Sequence, residues 1–226
     1  MSVSSPIITV VILVAVALAI LLALHRRDRR LRRQQRGTLF EPSYGLLQSY
    51  RVEQVGQDFP VLTGRYRDRD FHIDALIDTL TFRRLPVLWL RVSLLDPLPG
   101  VATTDILVRA QNNEFYAPGN DLPFQLPVPP HWPVGIHAKT DDSDRAPPRH
   151  VLDRHIDFFA LPEAKEMLVT PKGVRLVRLI EQGQRAEYMV LRIADFRGGQ
   201  LAPEALKDMM DRTIALCDDL KNESQA

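Results

Sequence analysis

The chain has 226 residues, 45% hydrophobic and 25% charged, a balance that excludes a disordered polymer and allows one or two globular domains. Its net charge of +1 is unevenly placed: residues 1–25 carry no Asp, Glu, Lys or Arg, residues 26–36 carry +6, and residues 37–226 hold 22 basic and 27 acidic side chains, a net −5. An acidic domain excludes nucleic-acid binding driven by phosphate neutralisation, and a single cysteine, Cys217, excludes an internal disulfide and fits a reducing compartment.

The first element is Ile7–Leu24, an unbroken apolar run whose one polar side chain is the Thr9 hydroxyl. As a helix it would span roughly 27 Å, close to the ~30 Å of a bilayer's hydrocarbon core. A cleaved signal peptide needs basic residues before its apolar run and a small-residue cleavage site after it. Here the order is reversed, because Arg26, Arg27, Arg29, Arg30, Arg32, Arg33 and Arg36 follow the run. Residues 1–25 therefore read as a transmembrane anchor. The arginine bias puts the N-terminus outside and the rest of the chain in the cytoplasm. Ala15, Ala19 and Ala23 recur every four residues, a spacing that permits close helix approach and a homodimer.

Residues 26–49 read as a basic juxtamembrane segment and linker, and residues 50–226 as one cytoplasmic α+β domain. Pro42 and Gly45 weaken a short helix over Tyr44–Tyr50. Val61–Arg67 and Phe71–Asp78 read as a β-hairpin turning at Asp68-Arg69-Asp70, since Phe71, Ile73, Ala75 and Ile77 alternate with His72, Asp74, Leu76 and Asp78. Val87–Leu95 is apolar on both faces and reads as a central strand, with shorter strands at Asp105–Arg109 and Glu114–Tyr116. Residues 118–148 hold eight of the 17 prolines, so they read as a long ordered loop or extended cover, neither helix nor inner strand. Leu161–Val169 reads as a short helix, Val174–Ile180 and Glu187–Ile193 as a second hairpin around Gly183. Pro203–Leu220 reads as an amphipathic helix buried along Leu206, Met209, Met210, Thr213, Cys217 and Leu220. Strands and helices do not alternate regularly, which favours a mainly antiparallel sheet.

Three constellations invite chemistry, and each has a plainer reading. His131, His137, His150 and His155 are interleaved with Asp141, Asp142, Asp144, Asp153 and Asp157, but their spacing matches no metal-ligand pair and prolines interrupt them, which favours a solvated loop. His72, Asp74 and Asp78 share a strand face and have the groups for acid–base work; one wet face of an antiparallel strand looks the same. Arg65, Arg67, Arg69 and Arg91 form an anion patch only if Asp68, Asp70 and Asp74 do not neutralise them. Cys217, on the apolar stripe, reads as a packing residue. No dinucleotide fingerprint, Walker lysine, nucleophile elbow or zincin motif occurs. The residues imply no catalytic centre, metal or cofactor.

The segments Leu62-Thr63-Gly64-Arg65-Tyr66, Leu85-Pro86-Val87-Leu88-Trp89-Leu90 and Pro171-Lys172-Gly173-Val174-Arg175 resemble those of single-pass proteobacterial inner-membrane proteins. The resemblance covers most of residues 45–220, implies a bacterial inner-membrane setting, and brings no activity or catalytic residue with it. The 24 arginines against five lysines agree with a GC-rich bacterial genome.

The resulting expectation is a membrane-anchored, non-enzymatic accessory or adaptor whose cytoplasmic domain binds a protein partner. Phe124 and Trp132 are the candidate anchors, on a backbone held near polyproline II; the other reading of the same segment is a cover that seals the sheet edge. The competing expectation is a membrane-proximal enzyme with its site under the Pro-rich loop, using His131, His137 or Asp141. Recognition of a lipid surface by the arginine block is a third.

Overall fold

Residues 4–79, 85–110, 114–183, 196 and 199–224 are described by a computed structural model. The apolar run and the arginine block form one continuous helix, α1 (Ser4–Gly37), about 51 Å long at 1.5 Å per residue. Its most apolar 18-residue window has mean hydropathy 2.9 and is fully exposed, so α1 is long and apolar enough to cross a membrane. The helix does not end in a loose tether. Leu39 and Phe40, just beyond Gly37, are buried in the core of the sheet domain, and the Leu39 carbonyl accepts a 2.8 Å hydrogen bond from Leu201 N–H. Residues 38–47, expected as linker, thus belong to that domain.

The domain is α+β. Nine strands, β1 (Ser49–Glu53), β2 (Val61–Tyr66), β3 (Arg69–Asp78), β4 (Val87–Leu94), β5 (Thr104–Val108), β6 (Phe124–Gln125), β7 (Ile136–Thr140), β8 (Ala164–Thr170) and β9 (Gly173–Gln182), form one open sheet in the order β1-β2-β3-β4-β9-β8-β5-β7-β6. Every pairing is antiparallel. The chain runs β1 to β4 as a meander, steps over two strand positions to lay down β5 with β7 and β6 outside it, and fills the gap with the β8–β9 hairpin. Among the described residues, α3 (Pro203–Ser224) packs on β4 and β9 and covers one face, and α2 (Arg149–His155) packs against α3. β4 has period-2 burial (Leu88, Leu90, Val92, Leu94), and its Leu90, Val92 and Leu94 meet the period-3.6 stripe of α3 (Leu206, Met209, Met210, Thr213, Leu216, Cys217, Leu220) in the main core.

The first hairpin turns on Arg67 and Asp68, both left-handed at φ 48° and 61°, so Arg69 and Asp70 already pair in β3. Two positive-φ residues are what a two-residue hairpin turn requires to match strand twist. In place of a helix over Tyr44–Tyr50, a 3₁₀ turn spans Glu41–Leu46 and Tyr50 enters β1, with Tyr44 stacked on it at 4.7 Å.

Three expectations are corrected. Leu161–Val169 is not a helix; most of it is strand β8, buried from Ala164 to Val169 between β5 and β9. A strand covered on both faces has no alternation to distinguish it from a helix. The short helix comes earlier, at α2, directly after Pro147-Pro148. Glu114–Tyr116 is a turn and not a strand. The Pro-rich region does contain an inner strand: β7 lies between β5 and β6. Proline excludes ladder positions one residue at a time, and residues 134–146 contain none. The expected strand Glu187–Ile193 lies outside the described residues.

Candidate functional site

Alternation gives the sheet two unlike faces. On the face away from α3, register sets Asp74, Arg91, Val177, Glu166 and Leu107 in one row across β3, β4, β9, β8 and β5, and His72, Ser93, Arg175, Leu168 and Asp105 in the next. This is the wet face expected of β3, extended across the sheet and then covered. The turn and 3₁₀ segment at residues 114–120 lies on it, with Tyr116 and Ala117 packed on Leu107 and Val177. Tyr116 also meets Trp89 at 6.2 Å between ring centres.

Charges beneath this cover are matched in pairs. Arg91 donates to Asp74 through Nε and Nη2 at 2.7 and 2.6 Å. Arg175 donates to Glu166, which is 0% exposed, at 2.8 and 2.9 Å. Lys165 Nζ reaches Glu114 at 2.7 Å and the carbonyls of Val108 and Arg109 at 3.2 and 3.0 Å. Two further bonds tie the cover down: Arg175 Nη2 to the Tyr116 carbonyl at 3.0 Å, and Gly119 N–H to Asp105 Oδ2 at 2.8 Å. A Cβ on Gly119 would stand 2.6 Å from that Asp105 oxygen, so the approach requires glycine.

Electrostatics separates the carboxylates. Burial alone would raise the pKa of Asp74, but hydrogen bonds from His72 and Arg91 outweigh it and hold the group at about 2. Asp105 goes the other way. Burial, reinforced by Glu166 nearby, pushes it to about 8 against the Gly119 N–H, so its carboxyl is mostly protonated at neutral pH. Complete burial raises the proton affinity of Glu166, opposed by the Arg175 fork. Burial likewise raises the pKa of Tyr116. An Asp74 locked at about 2 by a bidentate arginine is a poor proton carrier at neutral pH. The cluster is suited to fixing residues 114–120 against the sheet.

The other candidates separate. His131 Nε2 and the Trp132 indole N–H both reach Asp153 Oδ1, at 3.0 and 2.5 Å. Asp141 Oδ1 accepts from Thr103 N–H at 2.9 Å, and His137 is exposed on β7. His150 and His155 pair with Glu223 and Asp219 of α3 at 2.8 and 2.9 Å. His131 and Asp141 are thus engaged with different partners, and His137 is exposed. Among the described residues, no three His, Cys, Asp or Glu side chains form a set suited to a metal ion. Arg65, Arg67, Arg69 and Arg91 each have an acidic partner, with Asp96, Asp211 and Asp218 joining the expected Asp68, Asp70 and Asp74. Cys217 is fully buried, and burial raises its thiol pKa.

Trp132 is 6% exposed and belongs to the main core, whereas Phe124 is 49% exposed on the outer strand β6. Val128 and Val134, the latter 97% exposed, continue the apolar margin beyond Phe124. At the other end of the sheet, α1 meets the β1–β2 loop. Arg36 Nη1 donates to Gln57 O at 2.9 Å and its guanidinium lies 5.1 Å from the Phe59 ring centre, while Gln54 Nε2 donates to Arg33 O at 2.9 Å. Arg26, Arg29, Arg30 and Arg33 face Gly56 and Gln57 across a cleft of about 230 Å³; Arg32 turns aside to Asp28 at 2.9 Å, and Arg27 is exposed.

Sequence reasoning missed the buried cluster. Asp105 and Lys165-Glu166 stand at the head of the apolar runs Ile106–Val108 and Met167–Val169, and a charge at the edge of such a run was the available signal. No protein-family model matches the chain, and neither a curated protein nor a solved structure is significantly similar to it.

Proposed function

We propose that this protein is a membrane-anchored, non-enzymatic adaptor. Its domain presents the Pro-rich margin at residues 121–134 to a protein partner bearing an apolar recognition segment. The observation that carries the reading is the exposure of Phe124, Val128 and Val134 along a backbone stiffened by Pro123, Pro127, Pro129, Pro130 and Pro133. A backbone already near its bound form loses little entropy on binding. The charged groups beneath residues 114–120 are committed to one another. α1 and its loop contacts lie at the β1–β2 end, and β6 is eight strand spacings away, about 38 Å at roughly 4.8 Å each. Anchor and binding margin are thus at opposite ends of one sheet.

In this proposal α1 sits in a bacterial inner membrane with the N-terminus outside and the domain in the cytoplasm, as the seven arginines after Leu24 favour. Ala15, Ala19 and Ala23, on one face of α1, offer a route to a homodimer.

Two experiments test this. In a Cys217→Ser background, a cysteine at position 2 should react with an impermeant thiol reagent on intact spheroplasts and one at position 224 should not; the reverse would overturn the orientation. Full-length protein carrying Phe124→Asp and Val134→Asp should melt like wild type yet lose the partners that co-purify from solubilised membranes. Retention of the same partners would remove the margin as the binding surface.

A further inference from the structure

The arginines of α1 are not equivalent. Positions 26, 29, 30 and 33 recur at three- and four-residue spacing and fall on one face of the helix, the face that lines the cleft with Gly56 and Gln57. Among the described residues no carboxylate pairs with any of the four. The nearest acid on the helix, Asp28, is held by Arg32 off that face. Elsewhere Arg51, Arg65, Arg67, Arg69, Arg91 and Arg175 each have an acidic partner, and Arg109 donates to the Pro162 and Ala164 carbonyls. Four like charges on one face, with no carboxylate paired to them among the described residues, favour an anion between them.

Position narrows the anion. Leu24 ends the apolar run, so Arg26, Arg29 and Arg30 lie about 3, 8 and 9 Å beyond it along the helix, and Arg33, at about 14 Å, reaches back towards the membrane through its long side chain. The headgroup layer on each side of the hydrocarbon core is roughly 5–8 Å deep. The outer wall is backbone and amide at Gly56 and Gln57, and a Cβ built on Gly56 meets nothing within 4 Å, so the mouth is open. Guanidinium forks match the oxygens of phosphate in a bidentate manner.

We propose that Arg26, Arg29, Arg30 and Arg33, with the Gly56–Gln57 loop, form a binding site for the phosphate group of an anionic phospholipid. The site holds the domain against the membrane at the β1–β2 end. It is independent of the partner-binding margin and rests on α1 lying in a bilayer.

The test uses the full-length chain in phosphatidylcholine nanodiscs with and without about 20% phosphatidylglycerol, an anionic lipid that basic juxtamembrane clusters attract. Bound lipid is counted by native mass spectrometry, and affinity is read from the titration. Wild type should retain phosphatidylglycerol in preference to phosphatidylcholine. Arg29→Gln with Arg33→Gln should weaken that retention at least tenfold. Arg27→Gln with Arg32→Gln removes the same charge off the face and should change it less than twofold. Displacement of the lipid by millimolar inorganic phosphate would support the site with soluble phosphates as a second source of the group; resistance to displacement would support the lipid alone. Equal losses in the two double variants, or no preference in wild type, would overturn the site. A chain that fails to enter nanodiscs would overturn the anchor itself, a result distinct from insertion without lipid selection.

Discussion

The two faces of the sheet solve burial in opposite ways. Under α3 the sheet buries aliphatic and aromatic side chains, whose packing is non-directional and tolerant of exchange. Under residues 114–120 it buries Glu166, Asp105 and the Lys165–Glu114 pair, each of which is costly without a partner. The apolar face supplies most of the stability, and the charged face supplies the position of one short segment. Buried ionisable groups are often taken as marks of chemistry; here bidentate arginines account for Asp74 and Glu166, Lys165 pairs with Glu114, and a backbone N–H ties Asp105 to the cover.

The largest expected effects come from breaking each face at its centre. Trp132→Ala should cost about 3–5 kcal/mol, as aromatic truncations in cores do. Arg175→Met should cost a similar 3–5 kcal/mol, because it strands Glu166 as a buried charge. The faces then differ in rescue. Adding Glu166→Leu to Arg175→Met should recover much of the loss, since replacing a buried pair by apolar groups is often neutral or better. No second truncation should rescue Trp132→Ala. Urea unfolding of the full chain in detergent checks both, and failure of the Arg175 rescue would mean that its bond to the Tyr116 carbonyl matters more than the pair.

Gly119→Ala comes next, at about 1–3 kcal/mol, the usual cost of forcing extra volume into a packed site. Loss of protection from hydrogen exchange should be confined to residues 114–120, and global destabilisation would contradict the segment's local role.

The pH dependence separates the two aspartates. Asp105, held at about 8, binds its proton more tightly folded than unfolded, so its contribution is complete at low pH and is lost as pH rises from about 4 to 8. Asp74, held at about 2, contributes fully above about pH 4 and loses that contribution as pH falls towards 2. Asp105→Asn should flatten the fall in melting temperature between about pH 5 and 8, and Asp74→Asn should flatten only the acid limb. An unchanged upper limb in Asp105→Asn would refute the raised pKa. The smallest effect is at the margin, where Phe124→Ala should shift stability by less than about 0.5 kcal/mol. A loss comparable to that of Trp132→Ala would make residues 121–134 a sealing cover throughout.

Some elements were readable from sequence: the apolar run of α1, β3 with Ile73 alternating against His72 and Asp74, β4 as a run apolar on both faces, and the stripe of α3 through Cys217. Elements buried on both sides were legible only in part: β5 was expected at Asp105–Arg109 and is the wholly buried strand Thr104–Val108, whereas β8 was missed. In β8 the run Ala164–Val169 is covered throughout, so its pattern mimics a helix, and β7 was hidden by prolines that flank it without entering it. The charged cluster escaped because its pairs join residues far apart in sequence. Glu114 and Lys165 are 51 residues apart, and only the strand order brings them together. The Pro-rich segment divided in a way composition does not show: Trp132 turned inward to Asp153 and the core, while Phe124 remained outside.

The most direct test places a photo-crosslinking residue at Phe124, at Val134 and, for comparison, at His72 on the charged face, each in the full-length chain in its own membrane. A discrete adduct from positions 124 and 134 and none from 72 is the expected result. An adduct from 72 alone, or none from any position, would contradict an adaptor that binds through its Pro-rich margin.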